Sequence, residues 1–202
     1  MKKLLSTVAA TTVFFAAACG SEEPEPAPPA QDVENSVDLN SAPAKTQWDS
    51  VSGIQAPVDS ADGPESTEPV PHQYAHTPQG AVQAAILGQV WMATADDQTW
   101  PDVSSTMTAP GAGRDQWAQG RSLMSVNGTI DNAPEFKGFH ISDYDENNAQ
   151  VVLATEYPDV GLTAYPVQLT WQGDWKLVLP TLDTAPDLEE IDSLEGFVEF
   201  SA

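Results

Sequence analysis

Three histidines, one acidic turn and two neighbouring tryptophans are the residues of this chain whose types could do chemistry. His72, His76 and His140 could act as general bases or metal ligands, since imidazole changes charge near neutral pH and its neutral form both donates and accepts. Their spacing matches no metal motif, and no serine or cysteine with a nucleophile signature stands beside them. His76 precedes a helix start and His140 falls within a strand, so surface or packed roles are expected. Asp143-x-Asp145-x-Asn147 supplies the first three oxygens of a calcium loop, but the sixth position is Asn148 where such a loop needs Gly. The twelfth is Ala154, where it needs a bidentate Glu. A turn between two strands accounts for the same residues. Trp171 and Trp175 flank a tight turn and would form a sugar-stacking platform if exposed, although strand alternation favours placing them in the core. Together with His76 they are the residues singled out for ligand or partner contact. The GxSxG elbow, HExxH and phosphate-binding loop are absent, and Gly111-Ala112-Gly113 lacks the third glycine of a dinucleotide loop. No catalytic residue, metal or cofactor is expected, and the chain is read as non-enzymatic.

The elements that must position these residues start from His76–Thr94, the only long stretch with helical periodicity. Thr77 is placed to cap it and Pro78 fits its first turn. Val82, Ala85, Ile86, Val90 and Ala93 recur at three- and four-residue intervals, and Ala81, Ala84, Leu87 and Trp91 widen the apolar face. Residues 114–124 allow a short helix presenting Trp117 and Leu123 inward. After an Asn127-Gly128 turn signal the period becomes two, and Phe136–Tyr144, Ala149–Tyr157, Leu162–Trp171 and Trp175–Leu179 read as four antiparallel strands. Pro166 marks a bulge or edge among them. The fold class expected is α+β: a long N-terminal helix packed on a curved, cone-like antiparallel sheet of about four strands. This order of elements resembles the cone-shaped domains of the nuclear-transport-factor-like superfamily.

Composition sets the outer limits. Of 202 residues, 30 are acidic and 7 basic, a formal charge of −23. Nucleic acid and anionic lipid need a positive surface, which this chain does not supply. Lys2 and Lys3 followed by the apolar run Leu4–Ala18 form a signal segment, and removing both lysines leaves a net charge of −25. The run ends in Ala16-Ala17-Ala18-Cys19-Gly20, which resembles the lipobox of bacterial lipoproteins. That resemblance implies cleavage after residue 18 and diacylglyceryl lipidation of Cys19, the only cysteine, with the chain held by lipid on the extracytoplasmic face of the cell membrane. Residues 19–47 are rich in Pro, Glu and small residues and read as a disordered tether. Residues 48–202 form the single domain, opening with an irregular arm (Trp48–Tyr74) anchored by Trp48, Val51, Ile54 and Val58.

Five patches carry a further resemblance: Trp48-x-x-Val51-x-Gly53, Asp62-Gly63-Pro64, His76-Thr77-Pro78-Gln79-Gly80-Ala81, the run Gly173-Asp174-Trp175-Lys176-Leu177-Val178-Leu179-Pro180, and Leu194-x-Gly196-Phe197-Val198. Together they resemble an uncharacterised domain family of actinobacterial lipoproteins and exported proteins, often met among mobile conjugative elements. The resemblance implies no catalytic residues. It carries no function of its own; together with the cone-shaped fold resemblance it implies an accessory or interaction module of the envelope, linked to a conjugation or secretion apparatus, with an envelope protein as partner besides the membrane. The alternative is a small-molecule or glycan binder with a pocket between helix and sheet.

Overall fold

Thr77 sits in extended backbone (φ −134°, ψ 161°), and its hydroxyl oxygen accepts the Gly80 N–H at 3.0 Å, so helix α1 (Pro78–Thr94) starts with one orphan amide satisfied. The computed structural model that shows this describes residues 37–126 and 130–200. The signal segment, Cys19, the tether up to residue 36 and the Asn127-Gly128 turn lie outside the described residues. Twelve of the 17 residues of α1 are buried, so the helix is covered nearly all round rather than along one stripe. Gly88 makes this possible on one side: a Cβ there would come within 2.3 Å of a Leu177 methyl. Gly in a helix costs about 1 kcal/mol of propensity, and seating Leu177, which is 1% exposed, against bare backbone offsets it.

The segment expected as an irregular arm is a regular hairpin. Strand β1 (Gln47–Val51) pairs antiparallel with β2 (Ile54–Asp59), and β2 packs on α1. Ser52 (φ 52°) and Gly53 (φ 96°) join them, with φ positive at both central positions as a type I′ hairpin turn requires. Packing begins ahead of the expected start at Trp48. Leu39 and Ala42 lie against the core, and the Gln79 amide donates to the Asp38 and Ser41 carbonyls at 2.9 and 3.1 Å.

After α1 come the short helix α2 (Trp100–Asp102), a π-helical turn (Val103–Met107) and α3 (Ala112–Arg121). Helix α3 ends before Leu123, which is 83% exposed and not turned inward as expected, whereas Trp117 meets Trp100 edge to face at 6.3 Å. Gly113 lets α3 dock: a Cβ there would fall 1.9 Å from the Leu179 carbonyl.

The remaining strands are β3 (Glu135–Tyr144), β4 (Asn148–Tyr157), β5 (Gly161–Trp171), β6 (Trp175–Leu177), β7 (Glu189–Glu190) and β8 (Val198–Glu199). They form one antiparallel sheet in the order β6-β5-β4-β3-β8, with β7 also on the outer side of β5. The expected fold class is therefore corrected. The body is mostly sheet, six strands plus a separate two-stranded one, and the α-helices are short, of 17, 3 and 10 residues. Helix α1 follows the hairpin rather than leading the domain. The strands missed in the larger sheet are two-residue additions from the tail, too short for any periodicity to register.

The β3–β4 turn uses Asp145 as a cap: its Oδ1 accepts the amides of Asn147 and Asn148 at 2.6 and 2.9 Å. Those bonds, the Asn147 amide foremost, hold its carboxyl below the usual carboxylate value. Pro166 pairs with Val152 on the β4 side. On the outer side of β5 it falls between Ala164, which faces β7, and Leu169, which faces β6.

Candidate functional site

His76, Trp171 and Trp175, far apart in sequence, meet in one cluster. The His76 ring lies parallel on Trp171 with centroids 3.9 Å apart, and both tryptophans meet edge to face at 5.4 Å. The β5–β6 turn places them there. Gly173 takes φ 79°, and the Asp174 carboxylate accepts the Gln73 amide at 2.7 Å and the amides of Tyr74 and Trp175 at 2.9 Å each. Trp175 is 1% exposed and its indole N–H donates to the Ala75 carbonyl at 3.1 Å. Asp62 completes the knot: its carbonyl accepts the Ala75 amide at 3.0 Å and its carboxylate the Thr77 hydroxyl at 2.9 Å. Gly80 admits the Ala75 carbonyl, which a Cβ would approach to 2.1 Å.

Three of the sequence patches, around Asp62, His76 and Gly173, are thus parts of one lock that ties the connection before α1 to the β5–β6 turn. Burial, and secondarily the Asp174 charge, push the Tyr74 phenol well above its ordinary value. His76 Nε2 is hydrogen-bonded to the Glu146 backbone carbonyl, so its polar contact is a main-chain oxygen and not a carboxylate. With His76 covering one face of Trp171, a sugar ring could stack on that face only by displacing the imidazole. His72 Nδ1 bonds the Val70 carbonyl at 2.8 Å, and His140, exposed on β3, meets Phe197 edge to face at 6.3 Å. The three histidines do not converge. Cys19 lies outside the described residues.

The cleft is elsewhere. A trough of about 550 Å³ opens between α1, α3 and the outer side of β5, floored by Met92, Trp117, Tyr165, Val167 and Leu179. Two adjoining hollows, of about 340 and 530 Å³, share lining residues with it, among them Gln89 and Tyr165, and Pro166 and Gln168. The trough exists because the chain leaves β5 after β6 and returns to it at β7, so the excursion Val178–Leu188 forms its outer wall. Of the large apolar side chains exposed among the described residues, Met124 (59%), Val178 (38%) and Leu182 (90%) line it and Leu188 lines the neighbouring hollow.

The titratable residues lining the main trough are Arg121 and Tyr165. Arg121 is already committed: it is 4% exposed and its guanidinium donates to the carbonyls of Ala95 (2.8 Å) and Met124 (2.9 Å) and to Asp97 Oδ1 (3.1 Å). Burial raises the Tyr165 phenol. Such a surface can exclude water from an apolar partner, and the amides of Gln89 and Gln168 can orient it. Among the described residues it holds no nucleophile with a base in reach. Sequence reading missed the trough because the residues that make it, Met124, Leu182 and Leu188, lie in connections whose apolar side chains show no period. For Leu182 and Leu188 the only signal was an apolar residue inside an otherwise acidic loop.

Among the described residues no group of three or more His, Cys, Asp or Glu could hold a metal ion, and no helix is long and apolar enough to cross a membrane. The family whose model matches the chain, over residues 13–199, is described as Domain of unknown function (DUF8175). No curated protein and no solved structure matches the chain.

Proposed function

The chain belongs to that family of unknown function, and from this premise we propose that it is a non-enzymatic interaction module of the cell envelope. Lipid on Cys19 holds it at the extracytoplasmic face of the membrane, as in the actinobacterial lipoproteins it resembles, where it serves as an accessory of a conjugation or secretion apparatus. The observation that carries the interaction reading is the gathering of exposed Met124, Val178 and Leu182 around one trough whose described lining residues hold no nucleophile–base pair. Soluble proteins seldom leave such a patch uncovered unless something docks on it.

The anchor is tested by fractionation: Cys19→Ala should move the chain out of the membrane fraction and abolish incorporation of labelled palmitate. The module is tested with a photocrosslinking amino acid at Leu182 in intact cells, which should give a discrete adduct of protein mass. The same amino acid at Val160, exposed in the β4–β5 turn, should give none. A second reading, a small-molecule binder, draws on the volume of about 550 Å³ between helix and sheet, which suits a drug-sized ligand. An adduct of metabolite mass at Leu182 would favour it. No adduct of either kind would remove both readings.

A further inference from the structure

We propose that the occupant of the trough is a basic amphipathic helix of a partner protein, which lays its apolar face on Met92, Trp117 and Leu182 and its cationic flanks against the acidic rim. This rests on the interaction reading above and gives that site its partner chemistry.

Charge chooses the class. The excursion that walls the trough runs on into β7, and its exposed Asp183, Asp187, Glu189 and Glu190 alternate with the trough residues Leu182, Ala185 and Leu188. From residue 181 to 200 there are seven carboxylates and no Lys or Arg. Arg121, the cation at the trough, is already tied to Asp97. Apolar floor and anionic rim together match a ligand that is apolar on one face and positive on the other. A second copy of this chain would bring like charge, with 30 acidic against 7 basic residues, and so would the acidic stretch Ser21–Glu34.

Backbone chemistry chooses the shape. A partner strand could add to β5 only along its outer side between Ala164 and Leu169, where β7 and β6 leave off. Pro166 offers no amide there, and the Gln168 carbonyl already accepts the Val178 N–H at 2.8 Å. A helix needs no main-chain partner. The three adjoining hollows offer more than one seat for apolar anchors, and Met92 and Met124 supply adaptable contact surface.

The probe is a short helical peptide with leucine on one face, lysine on the other and one photoreactive leucine, offered to the full chain held in zwitterionic lipid nanodiscs. Its counterpart carries glutamate for every lysine. The lysine peptide should bind, weaken as salt screens the rim, and crosslink to residues of α3 and the 178–188 excursion. Leu182→Asp should weaken binding about tenfold, as loss of an interface anchor does, and Asp187→Lys with Glu189→Lys by a similar factor, while Val160→Asp leaves it unchanged. Equal binding of the two peptides, crosslinks spread away from the trough, or no binding would each overturn the proposal. If the peptide fails while the cellular adduct at Leu182 persists, the interaction reading stands and only the partner's chemistry is wrong. If both fail, the two fall together.

Discussion

The imidazole of His76 lies 3.9 Å from the indole of Trp171, with the rings 7° from parallel, although 95 positions separate the two residues. One stack joins the start of α1 to the end of β5. His76→Ala removes it together with the bond to the Glu146 carbonyl, and should cost about 1–3 kcal/mol, the sum expected for an aromatic pair and a hydrogen bond. Thermal unfolding measures it. No effect would mean that the ring is not held there in solution.

Trp175 is the largest fully buried side chain among the described residues, and its indole N–H also donates to the Ala75 carbonyl. Trp175→Ala should cost about 3–5 kcal/mol, the range for a buried aromatic. Denaturant titration with an unchanged slope would assign the loss to stability alone. A change below about 1 kcal/mol, accompanied by loss of glycan binding, would instead assign Trp171 and Trp175 to a sugar platform.

Two glycines should respond in opposite directions. Gly80→Ala drives a methyl to 2.1 Å from the Ala75 carbonyl and should destabilise by about 1–3 kcal/mol or more, as overpacking does. Gly120→Ala, in α3, meets nothing within 4 Å and should stabilise by about 0.4–1 kcal/mol by stiffening the unfolded chain. Equal melting temperatures for both variants would contradict the packing described.

Gln83 is 0% exposed and neither its amide oxygen nor its nitrogen has a hydrogen-bond partner among the described residues. An unsatisfied buried polar group costs about 1–3 kcal/mol, so Gln83→Met should raise the melting temperature. A fall would show that the amide is satisfied in solution.

Acid should weaken the fold in part through Asp97. The Ser125 hydroxyl first, then the Val126 amide and Arg121, hold its carboxyl below the ordinary 3.8. A carboxyl lowered in the folded state contributes stability that is present above its unfolded pKa and is lost as pH falls through the folded one. The melting temperature should therefore drop as pH falls below about 3.8. Asp97→Asn should lower it at neutral pH and reduce the further loss in acid. An identical acid profile in the variant would mean that Asp97 carries none of it.

What the sequence displayed was local. Thr77 and Pro78 start α1 by first-turn rules, and the acidic and Gly-containing turns after Tyr144 and Trp171 end strands by rules spanning four residues. The Ser52-Gly53 turn was equally local, but Pro57 and the proline-rich stretch after Asp59 obscured the alternation on either side. The contacts that make the lock, Asp174 to Tyr74 and Trp175 to Ala75, span 100 positions, and no local period encodes them. The patches around Asp62, His76 and Gly173 could be recognised as words without showing that they touch. The trough was hidden for a related reason: its wall is an irregular excursion, and Leu182 becomes part of a surface only because α3 docks on Leu179 through Gly113.

The tail that supplies β7 and β8 reaches both margins of the sheet, running along β5 at Glu189–Glu190 and along β3 at Val198–Glu199. Synthesis proceeds from the N-terminus, so both margins stay open until β7 and β8 have been made. A chain cut short after Leu179 would keep its helix and its four longest sheet strands in sequence yet display the free edges of β3 and β5, templates on which other copies could grow. The stretch from β7 to β8 acts as a hem, and its carboxylates add repulsion between neighbouring molecules. Proteolytic removal of these strands would therefore turn the domain into a nucleus for aggregation.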